Sequence, residues 1–175
     1  MKGEQLAFLV ALLVIGFLSL ATFTPYLEAP FTGRAIADDL VSVSVSVNAA
    51  GTLYAQQGPI AQLWVRPSEG NNWKRITQWK ISKVGYNTYA YSGKLSPGMY
   101  EFAIVYPNDA QGSGQDRNLF VESLKVNDQS FALVGVNYVF DKGVGRNALD
   151  GKTMTEIDSG NLKENGALRG IFFQI

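Results

Sequence analysis

The eleven residues from 108 to 118 combine two aspartates and two asparagines with glycines at positions 112 and 114. Calcium binds roughly six to eight oxygen atoms from carboxylates, amides and backbone carbonyls, and this loop can supply several of them. The spacing does not fit the helix-loop-helix calcium loop, which ends on a glutamate, so the ion would lie on a β scaffold. The same residue types also build ordinary turns, so a solvated hairpin loop stays open as the alternative.

The residue types that are missing narrow the chemistry further. The chain has no cysteine and no histidine, which excludes disulfides, thiol nucleophiles, most zinc sites and the commonest general base. Its 15 basic and 15 acidic residues give a net charge of zero, so no basic stripe is available and nucleic acid is not expected as a partner. The chemistry that remains is carboxylate chemistry.

Alternation of apolar and polar residues predicts strands after residue 40. The segment from Val41 to Val47 alternates valine and serine without a slip, as a half-buried strand requires. Turn signals separate this run from the other strand candidates, which are 60–66, 74–82, 88–92, 99–106, 119–126, 134–140 and 167–174. Short strands at this spacing predict an all-β fold, a two-sheet β-sandwich of the jelly-roll or immunoglobulin-like type.

An uncharged segment near the N-terminus, residues 5–27, predicts contact with a membrane. A spanning helix needs about twenty apolar residues, and this run reaches that length only by including Thr22, Thr24 and Pro25. A signal peptide, an uncleaved anchor and a retained pilin-like helix therefore remain alternatives. We expect a hydrophobic helix over 1–27, a linker over 28–39 and a folded domain over 40–175, located outside the cell or at its surface.

Four sequence blocks occur in an order shared with one known family. They are Ala50 to Pro59, then Asn108 to Asn127 with the run Asp116-Arg117-Asn118-Leu119-Phe120-Val121, then Phe140 to Gly151, and finally Asn165-Gly166-Ala167-Leu168-Arg169. Together they resemble the calcium-dependent xylan-binding carbohydrate-binding modules, with coverage from about residue 43 to residue 173. The family commonly has tryptophans just before the last block, where this chain has Leu162-Lys163-Glu164.

The resemblance implies a β-sandwich with a surface calcium whose open coordination positions are filled by vicinal hydroxyls of a sugar. It implies Asp109 and Asp116 as carboxylate ligands that also meet the sugar, with Asn108, Asn118 and the backbone carbonyls between residues 111 and 115 as further oxygen donors. Arg117 either braces the loop or reaches a sugar hydroxyl.

The third block adds Asp141 and Asp150. These two carboxylates either hold a second, structural ion or cap turns, and the sequence leaves both roles open.

Two functions follow from this reading. The first is a non-catalytic, secreted or membrane-anchored module that binds a polysaccharide, a xylan-like or other plant or microbial glycan, through Ca²⁺. The second is a structural subunit of an extracellular filament, pilin-like or strand-complemented, in which the strand over residues 40–47 completes an identical neighbour. Enzyme activity is not expected, because a carboxylate pair that holds calcium is not free to act as the acid and base of a glycosidase.

Overall fold

The computed structural model describes residues 39–82, 85–133, 138–157 and 159–175. The predicted N-terminal helix over 1–27 and nearly all of the linker over 28–39 lie outside the described residues, as does the first half of the strand candidate 134–140. Within the described ranges, no helix has the length and apolarity needed to cross a membrane. The segment Asp38–Ile175 forms one compact unit.

The described residues form thirteen β-strands and one 3₁₀ helix. The strands are β1 (Val41–Gly51), β2 (Ile60–Pro67), β3 (Lys74–Lys80), β4 (Asn87–Leu95), β5 (Met99–Tyr106), β6 (Ala110–Gly112), β7 (Gln115–Arg117), β8 (Leu119–Val126), β9 (Gln129–Ala132), β10 (Tyr138–Lys142), β11 (Met154–Ile157), β12 (Asn161–Leu162) and β13 (Gly166–Gln174). The 3₁₀ helix is Gly145–Leu149, between β10 and β11.

Two antiparallel sheets make up the sandwich, which confirms the predicted fold class. In the described chain the first sheet has the order β12-β8-β1-β4, with β9 also paired to β8, and the second has the order β11-β10-β13-β5-β2-β3. Strands β6 and β7 form a separate two-stranded ribbon. The ribbon forms the connection by which the chain passes from β5 in the second sheet to β8 in the first.

The core lies between the inner faces of the two sheets. Val43, Val45 and Val47 of β1 are 2%, 1% and 0% exposed, so the valine face of the alternating run is the buried one, as predicted. They belong to the same cluster as Phe102 and Ile104 of β5. Burial of each such side chain contributes about 1.5–3 kcal/mol, so this alternation is a main determinant of the fold.

Strand β1 is hydrogen-bonded within its own sheet. It pairs with β4 from Val41 to Ala49 and with β8 from Val45 to Gly51. The prediction that this strand is free is therefore wrong, because a strand that is donated to a neighbouring subunit must be unpaired in its own domain. The pilin-like form of that alternative concerns residues 1–27, outside the described part of the chain.

The second sheet is also covered on its outer face. Ala103 and Val105 of β5 point away from the main core and pack with Ala148 and Leu149 of the 3₁₀ helix in a second, small cluster. Strand β5 is buried on both faces for this reason, and from Phe102 to Tyr106 its sequence is a continuous apolar run. Trp64 and Trp73 pack against the edge of this small cluster.

Candidate functional site

The loop predicted to bind calcium is an ordered β-hairpin. Gln111 pairs with Asp116, and Gly112 pairs with Gln115. Ser113 and Gly114 join the two strands with φ angles of 52° and 73°. Two consecutive left-handed residues are what a two-residue hairpin turn with the right-handed strand twist requires, and this explains the Ser-Gly pair.

The register of the hairpin gathers oxygen-bearing side chains on one side. Gln111 and Asp116 lie directly opposite each other, so their side chains share a face. Side chains two residues apart on a strand also share a face, which brings in Asp109 before β6 and Asn118 after β7. We call the side defined by Asp109, Gln111, Asp116 and Asn118 the hairpin face.

Contacts within the hairpin face agree with this placement. Asn118 Nδ2 donates to Asp116 Oδ2 at 2.9 Å, and the hydroxyl of Tyr106 lies 3.4 Å from Asp109 Oδ1. Thr52 holds the C-terminal end of β7, since its Oγ1 donates to the Asp116 carbonyl at 2.6 Å and accepts from the Asn118 amide at 2.8 Å. The backbone of the proposed ligands is therefore fixed by hydrogen bonds.

The electrostatics of the hairpin face are those of two close like charges. Partial burial raises the pKa of Asp109, and the neighbouring charge of Asp116 raises it further. Glu164 acts in the same direction, while the Tyr106 hydroxyl opposes the shift by hydrogen bonding. The pKa of Tyr106 is itself raised, first by burial and then by the Asp109 charge. A cation placed here would relieve this repulsion.

One buried atom of the hairpin face lacks a partner. Asn118 Oδ1 is buried and accepts no hydrogen bond from the described part of the protein. A buried carbonyl oxygen left unsatisfied costs about 1–3 kcal/mol, so such an atom calls for an explanation. Within the described ranges, no three His, Cys, Asp or Glu side chains converge as a metal cluster, so a cation here would depend on amide and backbone oxygens as well.

The side chain of Asn108 makes different contacts from that of Asn118. Its Oδ1 accepts from the Ile60 amide at 2.7 Å, and its Nδ2 donates to the Gly58 carbonyl at 3.3 Å. The side-chain oxygen thus already has a partner in the loop between β1 and β2. Its assignment as a ligand stays a prediction, whereas its contribution to loop packing is visible.

Arg117 braces the hairpin against the neighbouring loop. It is 7% exposed, and its Nε, Nη1 and Nη2 donate to the carbonyls of Gln57, Asn108 and Tyr54 at 3.0, 2.7 and 3.2 Å. Tyr54 and Gln57 flank Ala55 and Gln56, which have φ angles of 51° and 64°. Left-handed backbone at non-glycine residues costs about 1–2 kcal/mol each, so this guanidinium holds a strained turn in place. Bracing is thus the role the contacts display, and contact with sugar stays a prediction.

Asp141 lies on β10, and Asp150 directly follows the 3₁₀ helix. Asp141 is 0% exposed; its Oδ2 accepts from Arg169 Nη1 and from the Gly151 amide, both at 2.8 Å. Asp150 Oδ1 accepts from the Lys152 amide at 2.9 Å, and this bond is the first cause of the lowered pKa of Asp150. Of the two roles left open for these aspartates, turn capping is visible in the bonds from the Gly151 and Lys152 amides. Asp141 Oδ1 is buried and accepts no hydrogen bond from the described residues, so a second ion stays a prediction.

Three residues near the hairpin face were not predicted from the sequence to be part of the site. Asn165 Oδ1 accepts from the Asp109 amide at 2.8 Å, Thr52 bridges β7, and Glu164 adds a negative charge near Asp109. Asn165 begins the last of the four recognised blocks, so its position there was a usable signal. Thr52 lies in the first block and carries the same signal, whereas Glu164 has no local pattern that would single it out.

Comparison with known proteins places this hairpin inside a family match. Residues 44–140, more than half of the chain, match the model of a family described as Ca-dependent carbohydrate-binding module, xylan-binding (CBM60). Comparison with curated proteins gave no match.

Two solved structures are similar to this chain. One is vCBM60 in complex with galactobiose, at 19% identity over 74% of this chain and 99% of that chain, with a TM-score of 0.49. The other is the selenomethionine form of vCBM60, from work on circular permutation between two families of calcium-dependent carbohydrate-binding modules. It has 19% identity over 73% of this chain and 89% of that chain, with a TM-score of 0.47.

Proposed function

We propose that this chain, which belongs to the family of calcium-dependent xylan-binding carbohydrate-binding modules, binds a polysaccharide through a calcium ion held on the hairpin face. The observation that supports this most is the buried Asn118 Oδ1, which has no hydrogen-bond partner among the described residues and lies on the same face as the Asp109 and Asp116 carboxylates. A hard divalent cation would satisfy the oxygen and neutralise both charges.

The donor set fits calcium better than a transition metal. Asp109 and Asp116 supply carboxylate oxygens, Asn118 supplies an amide oxygen, and backbone carbonyls between residues 111 and 115 are available at the hairpin turn. All of these are hard oxygen donors, and the chain has no cysteine or histidine to favour a softer metal.

When bound, calcium supplies open coordination positions for a vicinal pair of sugar hydroxyls. The protein's contribution is rigidity. Thr52 fixes the C-terminal end of β7, Arg117 holds the adjoining loop, and Asn165 anchors the Asp109 amide. Ligands held in this way need little reorganisation when a hydroxyl replaces water, which lowers the free-energy cost of binding.

The proposal includes no catalytic step, because the two carboxylates that hold calcium are not free to act as acid and base. We also propose that the protein is located outside the cell or at its surface, where it would encounter polysaccharides. It also retains the division into a hydrophobic segment 1–27, a linker 28–39 and a binding domain 40–175.

Isothermal titration calorimetry of the 175-residue chain with xylan, galactan and cellulose oligomers tests the proposal. We expect a binding heat with at least one of them in millimolar calcium, a marked fall in affinity in EDTA, and its recovery when calcium is added back. Asp116→Ala should lower the affinity to the level measured in EDTA, whereas Asp128→Ala, in the exposed turn after β8, should leave it unchanged. Binding that persists at full strength in EDTA would refute the calcium assignment.

A further inference from the structure

A second pocket lies on the outer face of the second sheet. It has a volume of about 470 Å³ and is bounded by Trp64 of β2 and by Trp73, in the connection from β2 to β3. Both indole rings are half-buried, since one side of each packs against the small cluster beneath the 3₁₀ helix. The volume is within the range of roughly 300–1,000 Å³ typical of small-molecule sites.

Polar groups of several kinds complete the pocket. Asn71 and Asn72 line it from the connection before β3, and Arg146 and Asp150 line it from the 3₁₀ helix and the residue that follows. Amide, guanidinium and carboxylate groups hydrogen-bond hydroxyls in planar, directional arrangements. A sugar ring has an apolar C–H face and an edge of hydroxyls, and it matches indole surfaces ringed by such groups.

A buried ion-pair network fixes one of the two indoles. The guanidinium groups of Arg66 and Arg169 lie 5.0 and 5.2 Å from the centre of the Trp73 ring. Glu101, 3% exposed, holds both of them, at 2.6 Å from Arg66 Nη2 and 3.3 Å from Arg169 Nε.

The other indole is fixed by one hydrogen bond, since Trp64 Nε1 donates to Gln62 Oε1 at 3.0 Å. Both aromatic walls are therefore held before any ligand arrives, which reduces the cost of binding.

The pocket and the hairpin face are joined by one strand. Trp64 pairs with Ala103 of β5, and Asp109 follows Ala103 by six residues. At about 3.3 Å per residue and about 5 Å between paired strands, the two sites are within roughly 25 Å of each other. A single oligosaccharide of several units can span that distance.

We propose that the Trp64–Trp73 pocket is a second saccharide site, independent of calcium, that binds a further segment of the same polysaccharide chain as the hairpin face. That one polysaccharide chain occupies both the pocket and the hairpin face rests on the proposed function. Binding of a saccharide to the pocket in the absence of calcium does not. A chain long enough to reach both sites binds with higher affinity, because its second binding event becomes intramolecular. The affinity for chains too short to reach both sites is unchanged.

Binding measured in EDTA isolates the second site. Tryptophan fluorescence of the 175-residue chain should change saturably with xylan, galactan or cellulose hexamers in EDTA, and Trp64→Ala should remove this change. Because Trp64 also packs against the small cluster, the double variant Asn72→Ala/Arg146→Ala, at two exposed positions, should weaken the same binding at least about fivefold, the loss of one or two hydrogen bonds. Tyr86→Ala, an exposed aromatic away from the pocket, should have no effect.

Binding measured in calcium tests the link between the two sites. The affinity of Trp64→Ala for a hexamer should fall about tenfold or more, while its affinity for a disaccharide stays within about twofold. The proposal is overturned if no hexamer binds in EDTA, or if the pocket variants bind hexamers as the unmodified chain does. If hexamers bind equally with and without calcium but the pocket variants lose them, the calcium assignment fails and the second site stands.

Discussion

Replacing Asp116 with alanine separates a calcium-binding hairpin from an ordinary solvated one. Without calcium, the change removes a 2.9 Å hydrogen bond from Asn118, worth about 0.5–1.5 kcal/mol, and relieves the repulsion between Asp116 and Asp109. These two effects oppose each other, so the free energy of unfolding in chelator should change by less than about 1 kcal/mol.

With calcium the same change has a larger effect. At a calcium concentration of 100 times its Kd, binding to the folded state adds about 2.7 kcal/mol to the free energy of unfolding, and the variant loses this. For a folded unit of this size, about 4 °C of Tm corresponds to each kcal/mol, so the Tm should fall by about 10 °C in calcium and by only a few degrees in EDTA.

Thermal unfolding followed by circular dichroism, in calcium and in EDTA, measures both differences. Asp128→Ala removes the same charge from an exposed turn and should shift the Tm equally little in both buffers. If Asp116→Ala lowers the Tm by the same amount with and without calcium, the hairpin holds no ion. A wild-type Tm that does not rise on addition of calcium leads to the same conclusion.

Three further substitutions test the contacts around the two sites, each by urea unfolding in EDTA. Arg117→Met should cost about 3 kcal/mol, because three partly buried carbonyls lose a charged donor; a loss below about 1 kcal/mol would contradict the brace. Glu101→Gln should cost about 3 kcal/mol, because the guanidinium groups of Arg66 and Arg169 lose their shared carboxylate; an unchanged midpoint would show that solvent compensates them. Tyr106→Phe should cost about 1–2 kcal/mol through loss of its bond to the Arg117 carbonyl, and a neutral result would place that hydroxyl in contact with water.

The main strands could be predicted because burial on one face leaves a period of two in the sequence. Val41 to Val47 shows this pattern, and Val43, Val45 and Val47 are buried, whereas Val41 at the start of the strand is 41% exposed. The pattern does not reveal which strands are neighbours, and this is why a strand paired within its own sheet was taken as one available to another subunit. Strand pairing depends on contacts far apart in sequence, which local periodicity does not encode.

The candidate site was also predictable only in the part that depends on local sequence. Oxygen-rich composition singled out residues 108–118, but it treated Asn108 and Asn118 alike. The register of the hairpin distinguishes them, since Asn118 lies on the face of Asp116 while Asn108 bonds the loop before β2. The hairpin itself was expected as a loop, because polar residues and glycine lack the apolar alternation by which strands are recognised.

The attachments of the hairpin determine how far an effect of calcium can spread. Its hydrogen bonds run to Thr52, to the turn at residues 54–57, and to Asn165, all of which lie in connections outside the main strands. From the buried core, Tyr106 reaches it through its hydroxyl. Removal of calcium should therefore loosen these three connections together while the valine face of β1 stays packed. Hydrogen exchange that accelerates in the connections but not in β1 would show this coupling, whereas uniform acceleration would mean that the ion stabilises the whole sandwich.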